Sequence, residues 1–184
     1  MSENRFFLKH RQPIGIIGSS KVKLGSPAYK TAYQVSRTLA QNGFAIICGG
    51  QSGVMEAACK GAQDGGGLGI ALLPTLDAAL SNSYAGLVLP TDLGRAQDPI
   101  VNKPRDVSRN RVIASSASCL VAVSGGVGTA NEIKHALAFG KVIFGLCDAP
   151  DPEAIPVDNT GSYSREADVG TIVEKVLKLT AGSV

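Results

Sequence analysis

The chain predicts an α/β fold, a single-domain, Rossmann-like doubly wound parallel sheet with helices on both faces. Three observations carry that expectation. Short uninterrupted apolar runs, such as Leu120-Val121-Ala122-Val123, have the pattern of strands buried on both faces. Stretches with helical spacing separate them, as βαβ units require. The 22 glycines cluster straight after apolar runs, where turns lead from strand to helix. Residues 1–12 are mixed and basic and read as a lead-in, with one domain over 13–184.

Ile14-Gly15-Ile16-Ile17-Gly18 is the first strand, and it ends in Gly18-Ser19-Ser20. A glycine and two hydroxyls just past a strand make a small polar floor for phosphate or ribose, although serine also suits an ordinary turn. Pro27 to Gln41 carries Ala28, Ala32, Val35 and Leu39 at helical spacing and stops before Asn42-Gly43. Residues 44–48 form the second strand. Gly49-Gly50-Gln51-Ser52-Gly53 then opens a helix over 54–62. Within it Glu56 either accepts a ligand hydroxyl or complements the helix dipole.

Residues 67–73 and 86–89 read as two further buried strands, stopped at Pro74 and Pro90. The stretch 91–104 is rich in Asp, Gly, Pro and Asn and is expected to be a loop over the ligand. Lys103 and Arg105 are read as solvated charges. Arg109 and Arg111, two residues apart, cannot share a helix face, so one of them faces the site. After the run 120–123 comes Ser124-Gly125-Gly126-Val127-Gly128-Thr129, with a helix expected from near Thr129 to Phe139. Residues 142–146 form the last strand, 148–164 a proline- and acid-rich surface loop, and 169–179 a closing helix.

The turn at 124–129 is a ready anion site, because glycines admit a ligand close to backbone N–H groups and the helix aims its positive end there. A bland alternative exists. Thr129-Ala130-Asn131-Glu132 fits the capping box, in which Glu132 would only satisfy orphan N–H groups. The second glycine turn at 49–53 tips the balance toward ligand binding, since both sit where open α/β sheets bind ligands. Gly15-Ile16-Ile17-Gly18 is not the dinucleotide fingerprint, and no acidic residue ends the second strand, which argues against NAD.

Composition narrows the function. With 44% hydrophobic and 18% charged residues the chain is not disordered. A net charge of +3 is too mild for a duplex-binding face, and 5% aromatics without tryptophan leave few stacking platforms, so nucleic acid is not expected. The four cysteines lack metal-ligand spacing; a reduced, cytoplasmic protein without metal or cofactor is expected. No apolar run is long enough to span a membrane.

Gly49-Gly50-Gln51-Ser52-Gly53-Val54-Met55-Glu56, Arg109-Asn110 and the run from Ser124 to Glu132, in that order, resemble the LOG superfamily, long mislabelled lysine decarboxylases. Within it the chain looks closest to the bacterial branch that resembles molybdenum-cofactor carrier proteins. The resemblance implies a homodimer or larger homo-oligomer and a phosphorylated nucleotide-like ligand. In the family's enzymes it implies phosphoribohydrolase action on nucleoside 5′-monophosphates, releasing free base and ribose 5-phosphate. Carried over by motif, Arg109 and Glu132 are the catalytic pair. Gly125, Gly126, Gly128 and Thr129 hold the phosphate, and Gly49, Gly50 and Gly53 frame the nucleotide. Met55, Glu56, Asn110 and Val127 fall in the same motifs and join Gly18, Ser19 and Ser20 as ligand-binding candidates. Three departures stand out: Ser124 replaces the enzymes' proline, Asn131 a second glutamate, and Ser118 an aspartate. They bring forward the alternative, a non-catalytic carrier or sensor of a phosphorylated ligand such as molybdenum cofactor.

Overall fold

The computed structural model describes residue 10 and residues 12–94, 108–150 and 161–181. Its elements run β1 (Ile14–Ile17), α1 (Pro27–Gln41), β2 (Ile46–Cys48), α2 (Val54–Asp64), β3 (Gly69–Leu73), a 3₁₀ turn (Ala78–Leu80) and β4 (Leu87–Pro90). They continue with α3 (Arg109–Ser116), β5 (Cys119–Val123), α4 (Val127–Ala138), β6 (Val142–Leu146), β7 (Ser162–Arg165) and α5 (Val169–Thr180). The strands form one sheet in the order β4-β3-β2-β1-β5-β6-β7, and every neighbouring pair is parallel. The doubly wound α/β expectation holds.

Alternation along the strands divides the core. Val121 and Val123 of β5 join Ile14, Ile16 and Phe144 in a cluster with residues of α1, α2 and α5. Leu120 and Ala122 face the other way, with Ile17, Ile143 and residues of α3 and α4. Burying a side chain such as Leu120, Ile143 or Phe44 contributes about 1.5–3 kcal/mol each, so both faces are firmly closed.

The chain order positions the site. From β1 the sheet grows outward through β2, β3 and β4; the chain then returns and lays β5 against the other edge of β1. Their carboxyl ends diverge at this switch point, and a crevice opens between the loops that leave them. Three helices begin on side-chain caps: Ser26, Ser108 and Asp168 accept from the N–H groups of Tyr29, Arg111 and Thr171. By contrast, α2 and α4 begin at Gly53 and Gly126, with no side-chain cap bond. Those two helices flank the crevice.

The structure departs from the sequence reading in three places. The run 87–90 is an edge strand, with Leu87 42% and Leu89 38% exposed instead of buried. Pro90 joins it, opposite Leu73, because an edge tolerates a missing donor. Ser162-Tyr163-Ser164-Arg165 is a seventh strand where only a loop was expected; its polar alternation suits the opposite edge. Helix α4 starts at Val127, two residues before the expected Thr129. The expected 91–104 loop lies mostly outside the described residues, as do Lys103, Arg105 and nearly all of the lead-in.

Candidate functional site

At the switch point lies a cavity of about 420 Å³, inside the range of small-molecule and cofactor sites. Four segments line it. Gly18, Ser19, Ser20 and Lys21 come from the loop after β1, and Gln51 and Met55 from the turn into α2. Arg109 and Asn110 open α3, while Gly126, Val127, Gly128, Thr129 and Glu132 belong to the start of α4.

The early start of α4 decides what Glu132 is. With Gly126 as the cap, Thr129 and Glu132 both lie inside the helix, and the capping box is not formed. Glu132 is instead buried against Arg109, with Oε1 3.6 Å from the guanidinium Nη1. Burial pushes its carboxyl up to about 7 from 4.5, and the opposing pull of Arg109 does not cancel this. Near neutral pH the site therefore holds a carboxyl able to give or take a proton. Arg111 points elsewhere, over the Phe139 ring at 4.6 Å, so one arginine of the two faces the cavity.

The two glycine turns are not equivalent. At Gly126 and Gly128 a side chain would meet nothing within 4 Å, so the first turn of α4 stands open to the cavity. At the other turn Val54 N–H already donates to the Ser19 carbonyl, and Gly53 (φ +67°) packs on the Ser19–Ser20 backbone. The start of α2 is thus closed by protein, and that of α4 is the one left to an anion. Gly49 serves the site in another way, because a Cβ there would collide with the Arg109 guanidinium and Met55 Sδ. Its missing side chain is the slot through which Arg109 reaches Glu132.

Of the predicted site residues, Gly18, Ser19, Ser20, Met55, Arg109, Asn110, Gly126, Val127, Gly128, Thr129 and Glu132 come together around the cavity. Gly49, Gly50, Gly53 and Gly125 lie behind this lining. Gly125 packs on Thr129, and Gly50 (φ +73°) on Ala71. Glu56 accepts from the Tyr29 hydroxyl at 3.1 Å and so is engaged with α1. Burial first, then the Glu56 charge, pushes the Tyr29 phenol up to about 12. Lys21 and Gln51 were missed. Their signal was position, one directly after Gly18-Ser19-Ser20 and the other inside the second glycine turn.

Two departures from the enzyme pattern gain a physical form. Asn131 accepts from Asn110 Nδ2 at 3.1 Å, so an amide pair ties α3 to α4 where the enzymes carry a second carboxylate. Ser124 holds φ +58°, a left-handed conformation that a proline ring, fixed near −65°, cannot take.

A family model matches residues 11–176, and its description is the SLOG cluster4 family. The chain belongs to that family. An uncharacterized protein of Archaeoglobus fulgidus is 38% identical over 133 residues, 72% of this chain and 78% of that protein. The molybdenum cofactor carrier protein of Chlamydomonas reinhardtii shares the fold with a TM-score of 0.74 and 30% identity, covering 93% of this chain and 99% of its own. The molybdenum cofactor binding protein of Rippkaea orientalis gives 0.75 and 26%, covering 92% and 98%. Among the described residues of this SLOG cluster4 protein, no helix is long and apolar enough to cross a membrane, and no cluster of His, Cys, Asp and Glu could hold a metal ion.

Two outcomes follow. Because the Glu132 carboxyl is raised in the folded state, its contribution to stability is present below pH about 4.5 and is lost as pH rises through about 7. Between pH 5 and pH 8, urea unfolding should show the wild type losing about 2 kcal/mol more stability than Glu132→Gln; equal losses would contradict the buried carboxyl. Ser124→Gly should relieve left-handed strain and raise stability by about 1 kcal/mol, while Ser124→Pro should lower it by at least about 1 kcal/mol in the same assay.

Proposed function

We propose that this SLOG cluster4 protein binds a phosphorylated, nucleotide-like ligand of the molybdenum-cofactor class and holds it without turnover. The observation that carries the proposal is the near end-to-end likeness to a molybdenum cofactor carrier protein, at 30% identity over 93% of this chain. The cavity suits such a ligand. The open first turn of α4 at Gly126 and Gly128 offers N–H groups to a phosphate, with Lys21 and Arg109 as cations in the same lining. Met55 and the exposed Val127 give a flat ring an apolar surface. Among the described lining residues Glu132 is the single carboxylate, and Asn131 fills the second acidic place of the enzymes with an amide.

A second reading, phosphoribohydrolase action on nucleoside 5′-monophosphates, is favoured by one observation. Glu132, titrating near 7 beside an arginine, has the ionisation of a group that could orient water or steady developing charge on a sugar. A homodimer or larger assembly is also proposed, supported by the exposed Leu76, Leu80, Leu87 and Leu89 around the β4 edge. Light scattering checks it.

The deciding experiment incubates purified protein with molybdenum cofactor, AMP and other nucleoside monophosphates, following thermal shift and free base together. The carrier reading expects a stabilising shift with the cofactor and no base from any nucleotide. Arg109→Ala should weaken cofactor binding about tenfold or more, through loss of a charge-assisted hydrogen bond. Base release that disappears in Glu132→Gln would overturn the carrier reading in favour of hydrolysis.

A further inference from the structure

Beneath the turn into α2 lies a feature that ligand binding does not use. Cys48, the last residue of β2, and Cys59, in the second turn of α2, place their sulfurs 3.5 Å apart, and neither residue is exposed to solvent. We infer that Cys48 and Cys59 are a redox-active dithiol, a modification site that closes to a disulfide under peroxide-class oxidants. Bonding needs the sulfurs to approach to about 2.05 Å, and they already touch. The loop to be closed lies within one strand–turn–helix unit. Half-buried Tyr84 and Ala85 pack against the pair. They belong to the irregular stretch between the 3₁₀ turn and β4, the covering that an oxidant has to pass.

The two thiols are also differentiated. The contact with Cys48 draws the Cys59 thiol below its usual range, whereas that same contact and burial raise Cys48. With the Cys48 sulfur already engaged by the Met55 carbonyl and the Gly50 N–H, Cys59 is the thiol that meets the oxidant first and Cys48 the resolving thiol. In the first step the Cys59 sulfur takes one peroxide oxygen, giving a sulfenic acid and one water. In the second the Cys48 sulfur attacks that sulfenic sulfur, and the departing hydroxide leaves as water with the Cys48 proton. Two electrons pass from the two sulfurs to one peroxide, and one S–S bond forms.

The disulfide would reach the cavity wall. At present Cys48 Sγ accepts from Gly50 N–H at 3.4 Å and donates to the Met55 carbonyl at 3.5 Å. Oxidation removes the donated proton and pulls the sulfur toward α2, so the turn that seats Gly49 against Arg109 loses a tie.

The test treats the full chain with hydrogen peroxide, denatures it, blocks free thiols and maps the peptides by mass spectrometry. The expected product has a Cys48–Cys59 cross-link, is lighter by two hydrogens, has lost two of its four thiols, and reverts with dithiothreitol. Hydrogen exchange at residues 49–55 should rise in that product. In Cys59→Ser, Cys48 should stay reduced; in Cys48→Ala, Cys59 should stop at a sulfenic acid that dimedone traps. Recovery of both residues as free thiols while exposed Cys147 has reacted would overturn the inference, as would Cys59 running on to sulfinic acid in the wild type.

Discussion

The site depends on one buried ion pair and on the emptiness that admits it. Arg109 at the start of α3 reaches Glu132 in α4 by passing the bare backbone of Gly49, so three separate segments are fixed relative to one another. Such a pair is not a source of stability. Removing two charges from water costs several kcal/mol per ion, and the raised Glu132 carboxyl is the visible sign of that cost. What the pair supplies is placement. It holds a cation at the crevice floor, beside the open turn of α4, before any ligand arrives.

Much of this was legible in the sequence because it follows from local pattern. Buried parallel strands must be apolar on both faces, so β1, β5 and β6 read as unbroken runs, and the α1 bounds follow from Pro27 and Asn42-Gly43. The edges were harder for the same reason. An edge strand needs no apolar face, so Ser162–Arg165 looked like loop, while Leu87–Pro90 looked buried because exposed leucines mimic a core run. Site residues named from motifs largely converged. Which glycines face the ligand was not legible, because G-G-x-x-G and G-G-x-G encode the same freedom, and only the tertiary neighbours of each turn tell packing from cradle. Glu132 was ambiguous for a similar reason. Thr129 could have capped a helix, and two residues of extra helix ruled that out.

The unequal turns bear on the chemistry that the cavity favours. A helix start whose first N–H is taken by a neighbouring carbonyl, as in α2, is a structural joint. One left without a side-chain cap, as in α4, carries an unmet electrostatic demand that a phosphate can meet. Such a demand is the same for a ground state and a transition state, because the phosphate itself does not react in glycosidic cleavage. It supplies affinity and leaves rate untouched. Turnover would have to come from groups that reach the sugar.

For that role the described lining offers Glu132, tied to Arg109, and Asn110, paired with Asn131. A carboxylate that must stabilise an oxocarbenium-like sugar works best ionised and close to it. Burial pushes Glu132 toward its neutral form at the pH where it would be needed. Protonation of Glu132, in turn, leaves the charge of Arg109 less compensated. The arrangement therefore suits an anion better than a developing cation, which is the balance that the proposed carrier role requires.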